Sequence, residues 1–299
     1  MRVFLTLFTG LLATVVAACS NEEVLSDITP NGGYALVPAV VYDQASALAL
    51  DVYRPANANN APVVVFFYGK RWEQGSRREY KFVGQALAER GFVAVIPDYR
   101  LYPQVKYPAF LQDCAKAVRW VHANIAGYGG APDKIVLMGH DSGAYNAAML
   151  AMDPEFLHQV GGDRSWVRGM VGLAGPYDFL PITDPDLRDL FGPPDNFERT
   201  QPVLYADGSN PPLLLMHGDK DQNVPSQSTN SLYNRVIRSG GPATKYDFSN
   251  YDHGKILEVL SSHFQGEGNV MNHVDEFVRQ VATGAAKPPP SSIQTLVPQ

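Results

Sequence analysis

Cysteine is scarce in these 299 residues, with only Cys19 and Cys114 present, so no disulfide framework can organise the fold. Positive charge is short as well. The 24 lysines and arginines face 30 acidic residues, for a net charge of −6, which excludes the cationic footprint that nucleic-acid binding needs. The acidic residues are dispersed and read as solvated surface. Beyond the first residues no apolar run is long enough to span a bilayer. Internal repeats, clusters with metal-ligand spacing and phosphate-cradling glycine loops are all missing, so neither a metal nor another cofactor is expected.

What is there is a chain that is 45% hydrophobic, enough for one well-cored α/β domain of the larger kind. It opens on Met1-Arg2, a short positive start, and residues 3–18 are apolar or small throughout. That length suits the core of a signal peptide better than a spanning helix. The segment ends Val16-Ala17-Ala18-Cys19, which resembles the bacterial lipobox. The resemblance implies cleavage before Cys19, acylation of its thiol, and a lipid-anchored protein of the bacterial cell envelope, where acyl chains contribute about 0.8 kcal/mol per buried methylene. An ordinary signal peptide with an incidental cysteine is the alternative. Cys114, in an amphipathic stretch, reads as a small core residue.

These signals divide the chain into a signal peptide over 1–18, a lipidated polar tether over 19–33, one catalytic-size domain over 34–284 and a tail over 285–299. The tail contains Pro288-Pro289-Pro290 and is expected to be disordered. Within the domain, strand signals at 48–53, 63–67, 92–96, 135–138, 170–173, 212–216 and 245–248 alternate with helical patterns through Phe82 to Ala88, Cys114 to Ile125 and Ala144 to Ala151. Strands fed by crossover helices predict an α/β fold with one mostly parallel, doubly wound sheet flanked by helices. Reactive loops then gather at the carboxyl ends of the strands.

Three such loops carry reactive residues. Gly139-His140-Asp141-Ser142-Gly143 follows one strand, His217-Gly218-Asp219-Lys220-Asp221 another, and Tyr251-Asp252-His253-Gly254 the last. With Phe66-Phe67-Tyr68-Gly69-Lys70-Arg71-Trp72 and Asp98-Tyr99-Arg100-Leu101, they make residues 40–283 resemble the esterase branch of the α/β-hydrolases. The relatives in view are hormone-sensitive-lipase-type, feruloyl-esterase and kynurenine-formamidase-like proteins. The resemblance implies hydrolysis of ester or amide bonds in small substrates, with a nucleophile, an acid and a histidine in that chain order.

Glycines 139 and 143 flank residue 141 symmetrically, so Asp141 is expected at the tip of the nucleophile elbow, where serine is usual. A rival register puts Ser142 there. In the first register Asp221 orients His253, the base, while Gly69, Lys70 and the Ser142 amide serve the oxyanion site. The family pattern in that loop is His-Gly-Gly-Gly-Trp, and Lys70 stands at one of its glycines. Its ammonium is expected either to face Asp141 or to swing into solvent.

An aspartate changes the available chemistry. It is a poor nucleophile toward ordinary esters, and with Asp221 it should hold His253 as imidazolium. Three functions therefore stay open. One is an esterase-branch hydrolase with altered turnover. Another is an aspartate-nucleophile hydrolase acting on epoxides or carbon–halogen bonds, to which Tyr68, Tyr102 or Tyr145 would donate. The third is a binding protein using the old substrate pocket. Oligomeric state is not legible in the sequence.

Overall fold

The computed structural model describes residues 20–264, 268–284 and 293–296. The signal segment, Cys19 and most of the expected tail lie outside the described residues. Chain order begins with α1 (Asn21–Ile28), β1 (Ala35–Asp43), β2 (Leu48–Arg54), β3 (Ala61–Phe67), α2 (Lys81–Glu89), β4 (Val93–Pro97) and α3 (Ala109–Asn124). It continues with β5 (Gly130–His140), α4 (Ser142–Met152), α5 (Glu155–Gln159), β6 (Val167–Leu173), α6 (Pro185–Phe191), β7 (Leu213–Gly218), α7 (Ser226–Arg238), β8 (Ala243–Phe248), α8 (Lys255–Glu258), α9 (Val270–Ala282) and β9 (Ile293–Leu296).

Among the described residues the nine strands form one sheet in the order β1-β2-β4-β3-β5-β6-β7-β8-β9. β1, β2 and β4 pair antiparallel, and every other neighbour is parallel. This is the mostly parallel α/β sheet expected, with an antiparallel edge. Burial explains the composition of its centre. Val63 to Phe67 of β3 and Ile135 to Met138 of β5 are fully buried, which requires both faces of those strands to be apolar and produces a continuous hydrophobic run. Helices α3 and α4 pack on β5, and α9 covers β3, β5 and β6, where Phe277 and Val281 crowd Gly169. Cys114 is a free, buried core thiol of α3. Among the described residues no helix is long and apolar enough to cross a membrane.

Two segments depart from expectation. Residues 21–28, read as part of a polar tether, fold as α1. Ser20 caps it by accepting the Glu23 N–H, Leu25 is buried, and the Ser26 hydroxyl donates to the Glu79 carbonyl at 2.6 Å. The polar composition hid a helix that needs only one buried leucine because the body supplies its other partners. Within the segment read as a tail, Ile293–Leu296 pair in parallel with β8, an open edge that offers backbone donors and acceptors to any adjacent extended chain.

Candidate active site

The site stands at the carboxyl ends of β3, β5, β7 and β8. One residue separates β5 from α4, and that residue is Asp141, with φ 51° and ψ −125°. So sharp a turn is possible only if strand and helix nearly touch. A Cβ on Gly139 would lie 2.2 Å from the Gly143 carbonyl oxygen, and one on Gly143 would lie 1.9 Å from that of Phe67. Both contacts are far inside van der Waals range, so these two positions demand glycine. Asp141 lines the cleft. Ser142 is fully buried, and its Oγ accepts the Trp72 N–H at 3.1 Å. The rival register, with Ser142 at the tip, is not the geometry seen.

After β3 the loop runs through Lys70, Arg71 and Trp72 at φ 76°, 56° and 62°. Three consecutive left-handed side-chain-bearing residues cost roughly 1–2 kcal/mol each. The strained arc turns its amides inward as an anion-binding nest. Asp141 Oδ2 accepts the Lys70 N–H at 2.8 Å and the Arg71 N–H at 2.9 Å. Hydrogen bonds to a charged acceptor contribute about 1.5–3 kcal/mol each, enough to offset much of that strain. Gly69 precedes the arc, and a Cβ there would meet Asp141 Cβ at 2.6 Å. Behind the loop the Tyr99 hydroxyl donates to the Tyr68 carbonyl at 2.6 Å, and Arg100 forks onto Asp113 at 2.7 Å through each of two nitrogens. The Asp98-Tyr99-Arg100 motif is thus a brace.

The expected facing of Lys70 and Asp141 takes a different form. The Lys70 backbone donates to Asp141, while its ammonium lies 2.9 Å from Glu79 and 3.3 Å from Glu22 of α1. Burial disfavours the charged lysine, but these two carboxylates outweigh it and raise its pKa. The Ser142 amide, expected in the oxyanion site, is not one of the two donors on Asp141 Oδ2. Arg71 is, and it was missed. The signal was available, since Arg71 also stands at a glycine of the His-Gly-Gly-Gly-Trp pattern.

His253 Nδ1 lies 2.8 Å from Asp221 Oδ2, and its Nε2 is 3.9 Å from Asp141 Oδ1, beyond hydrogen-bond reach. Asp221 is held from several sides. Its Oδ1 accepts the Asn223 and Val224 N–H groups, both at 2.9 Å, and its Oδ2 lies 3.2 Å from His217 Nε2. Burial works against its charge, yet the His217, His253 and Val224 hydrogen bonds hold its pKa well below the carboxylate range. Asp219 instead accepts the Asn250 N–H at 2.7 Å. For His253, burial favours the neutral ring, but the Asp221 hydrogen bond and the Asp141 charge prevail and raise its pKa. His140 Nε2 sits 2.8 Å from the His253 carbonyl oxygen, and burial, then the neighbouring His253, pushes its pKa down to about 4. His140 therefore acts as a neutral donor fixing the His253 loop.

These groups open into a cleft of about 1020 Å³. Trp72, Phe179, Leu180 and Val224 give it apolar surface, and Arg71, Gln222, Asn223 and Gln227 give it polar surface. Tyr68, Tyr102 and Tyr145 do not serve it. Their hydroxyls donate to Asp98, Asp189 and the Thr200 carbonyl.

The BD-FAE family model matches residues 50–236. A probable isoprenylcysteine alpha-carbonyl methylesterase of Arabidopsis thaliana is 30% identical over 228 residues, covering 69% of this chain and 48% of its own length. Esterase LipC of Mycobacterium tuberculosis is 28% identical over 218 residues, covering 66% of this chain and 54% of its own. The chain therefore spans about half the length of these relatives. Among solved structures, a truncated carbohydrate esterase from gut microbiota superposes with a TM-score of 0.72 at 21% identity, over 85% of this chain and 99% of that one. Esterase B from Lactobacillus rhamnosis superposes with a TM-score of 0.75 at 18% identity, over 88% and 91%. Both likenesses place the fold among the α/β-hydrolases.

Proposed function

The chain belongs to the BD-FAE family, and from that footing we propose that it is an esterase-branch hydrolase for small carboxylic esters, with Asp141 at the nucleophile position. Asp221 orients His253, the base, and the amides of Lys70 and Arg71 form the oxyanion hole. One observation carries the reading. Asp141 Oδ2 sits 2.8 and 2.9 Å from those two amides, where the oxygen of an attacked ester carbonyl would need them. The hole is filled by the protein's own carboxylate, and its charge helps raise the His253 pKa. Ordinary acyl transfer is consequently slow in this chain, although the cleft and the Asp221–His253 pair remain. The printed names of the relatives, a methylesterase and an esterase, support ester chemistry as the parent activity.

The test is Asp141→Ser against a panel of short p-nitrophenyl esters. A hydroxyl next to a His253 relieved of the Asp141 charge, with an emptied hole, is expected to raise the rate by at least about two orders of magnitude over the unaltered chain. A folded variant with no gain would remove Asp141 from the nucleophile position.

A further inference from the structure

The two oxygens of Asp141 are not equivalent. Oδ2 accepts hydrogen bonds from two amides, whereas Oδ1 is directed at His253 Nε2 across 3.9 Å, and both residues line the cleft. We propose that Asp141 Oδ1 is a covalent nucleophile toward saturated carbon, and that the cleft hydrolyses small alkyl compounds whose leaving group departs as a stable anion, such as a halide. This rests on the preceding reading in one respect, the placing of Asp141 as the reacting residue.

The geometry serves both halves of such a reaction. In the first, an Oδ1 lone pair forms a carbon–oxygen bond as the carbon–halogen bond breaks, and the halide leaves with the bonding pair. No proton is needed, which suits a cleft whose candidate tyrosines donate elsewhere. An epoxide would leave an alkoxide needing one of those protons. The amide side chains of Gln222, Asn223 and Gln227 are available to solvate the anion. In the second half, Oδ2 has become the carbonyl oxygen of an alkyl ester and already lies in its oxyanion hole. Water attacks the carbonyl carbon while His253 takes its proton. Negative charge collects on Oδ2 under the Lys70 and Arg71 amides, and collapse breaks the bond between the carbonyl carbon and Oδ1. The alcohol leaves with the proton returned by His253, and Asp141 is regenerated carrying one oxygen from water. The net change is alkyl halide plus water to alcohol, halide and a proton.

The order of events is enforced by charge. The charge of Asp141 helps raise the His253 pKa. Alkylation removes that charge and frees the ring to act as base. An ester substrate offers no such relief, because carboxylate attack on it would find the hole already occupied.

The full chain is incubated with 4-nitrobenzyl chloride in oxygen-18 water. Chloride release is expected, together with oxygen-18 in the peptide containing Asp141. The His253→Gln variant should accumulate a nitrobenzyl ester on Asp141 and release chloride at least about a hundredfold more slowly in steady state. The thiol of Cys114 is buried and does not compete. Label or adduct on Asp141 supports the inference. The absence of both label and adduct overturns it. In that event Asp141→Ser shows whether the preceding reading falls too: an active variant leaves Asp141 at the nucleophile position with the alkyl chemistry rejected, and an inert folded one rejects both.

Discussion

Asp141 and His253 share one electrostatic problem, and it can be measured at the level of single groups. The Asp221 hydrogen bond and the charge of Asp141 raise the His253 pKa against the effect of burial. Asp141→Asn keeps the shape and removes the charge, so the pKa should fall toward the ordinary value of about 6.5. The sign for stability follows. A histidine whose folded pKa exceeds its unfolded one contributes stability fully below the unfolded value and loses it as pH rises through the folded value. The variant should therefore show a smaller stability loss over that window. Titration of the His253 ring by NMR in both proteins checks this, and an unchanged midpoint would detach Asp141 from the pair. Asp221 works with the opposite sign, since its depressed pKa contributes stability that is lost in acid.

At the scale of elements, the loop after β3 and the β5–α4 turn meet at one carboxylate, that of Asp141. Lys70 and Arg71 occupy positions that the esterase pattern gives to glycine, and both remain left-handed because the Asp141 carboxylate holds them there. Serine at 141 would bring no carboxylate to hold the arc, leaving its strain unopposed. Adding Arg71→Gly to Asp141→Ser is expected to raise the ester rate a further severalfold, because glycine keeps a left-handed conformation at no steric cost. The ion pairs of the half-exposed Arg71 side chain with Asp184 and Glu73 contribute little at a surface. Kinetics of the double variant against Asp141→Ser alone decide the matter, and equal rates would mean that the arc is held by its braces, among them the Tyr99 hydroxyl on the Tyr68 carbonyl and the Trp72 indole N–H, which donates to the Asn146 side chain at 3.0 Å.

Over the whole molecule, α1 ties the chain's start to two parts of the site. Glu22 meets Lys70 of the loop after β3, and the Asn21 side chain donates to Glu258 of α8 at 3.0 Å, just beyond the His253 loop. If Cys19 is acylated, as its lipobox-like context supports, the anchor joins a docked helix with no spacer. The Cys19→Ala chain is then expected to move from the membrane to the soluble fraction and to lose the acyl mass from its N-terminus. Retention in the membrane would refute a lipid on that cysteine.

What the sequence determined by itself was whatever depends on neighbours along the chain. Apolar runs marked the central strands, paired glycines marked the turn at Asp141, and the spacing after β7 singled out Asp221 and, near the end, His253. Polar segments that fold only against a partner were not legible. α1 read as a tether, β1 was hidden by its half-exposed edge position and Pro38, and Ile293–Leu296 gain a strand only from the edge of β8. Tertiary structure alone decided where the Lys70 ammonium goes, that the Arg71 amide joins that of Lys70 on Asp141, and which oxygen of Asp141 they bind. The contacts of Asp141 join residues some seventy positions apart in the chain, set by how β3 and β5 lie side by side, and the Lys70 ammonium is drawn to Glu22 and Glu79 only once α1 docks beside its loop.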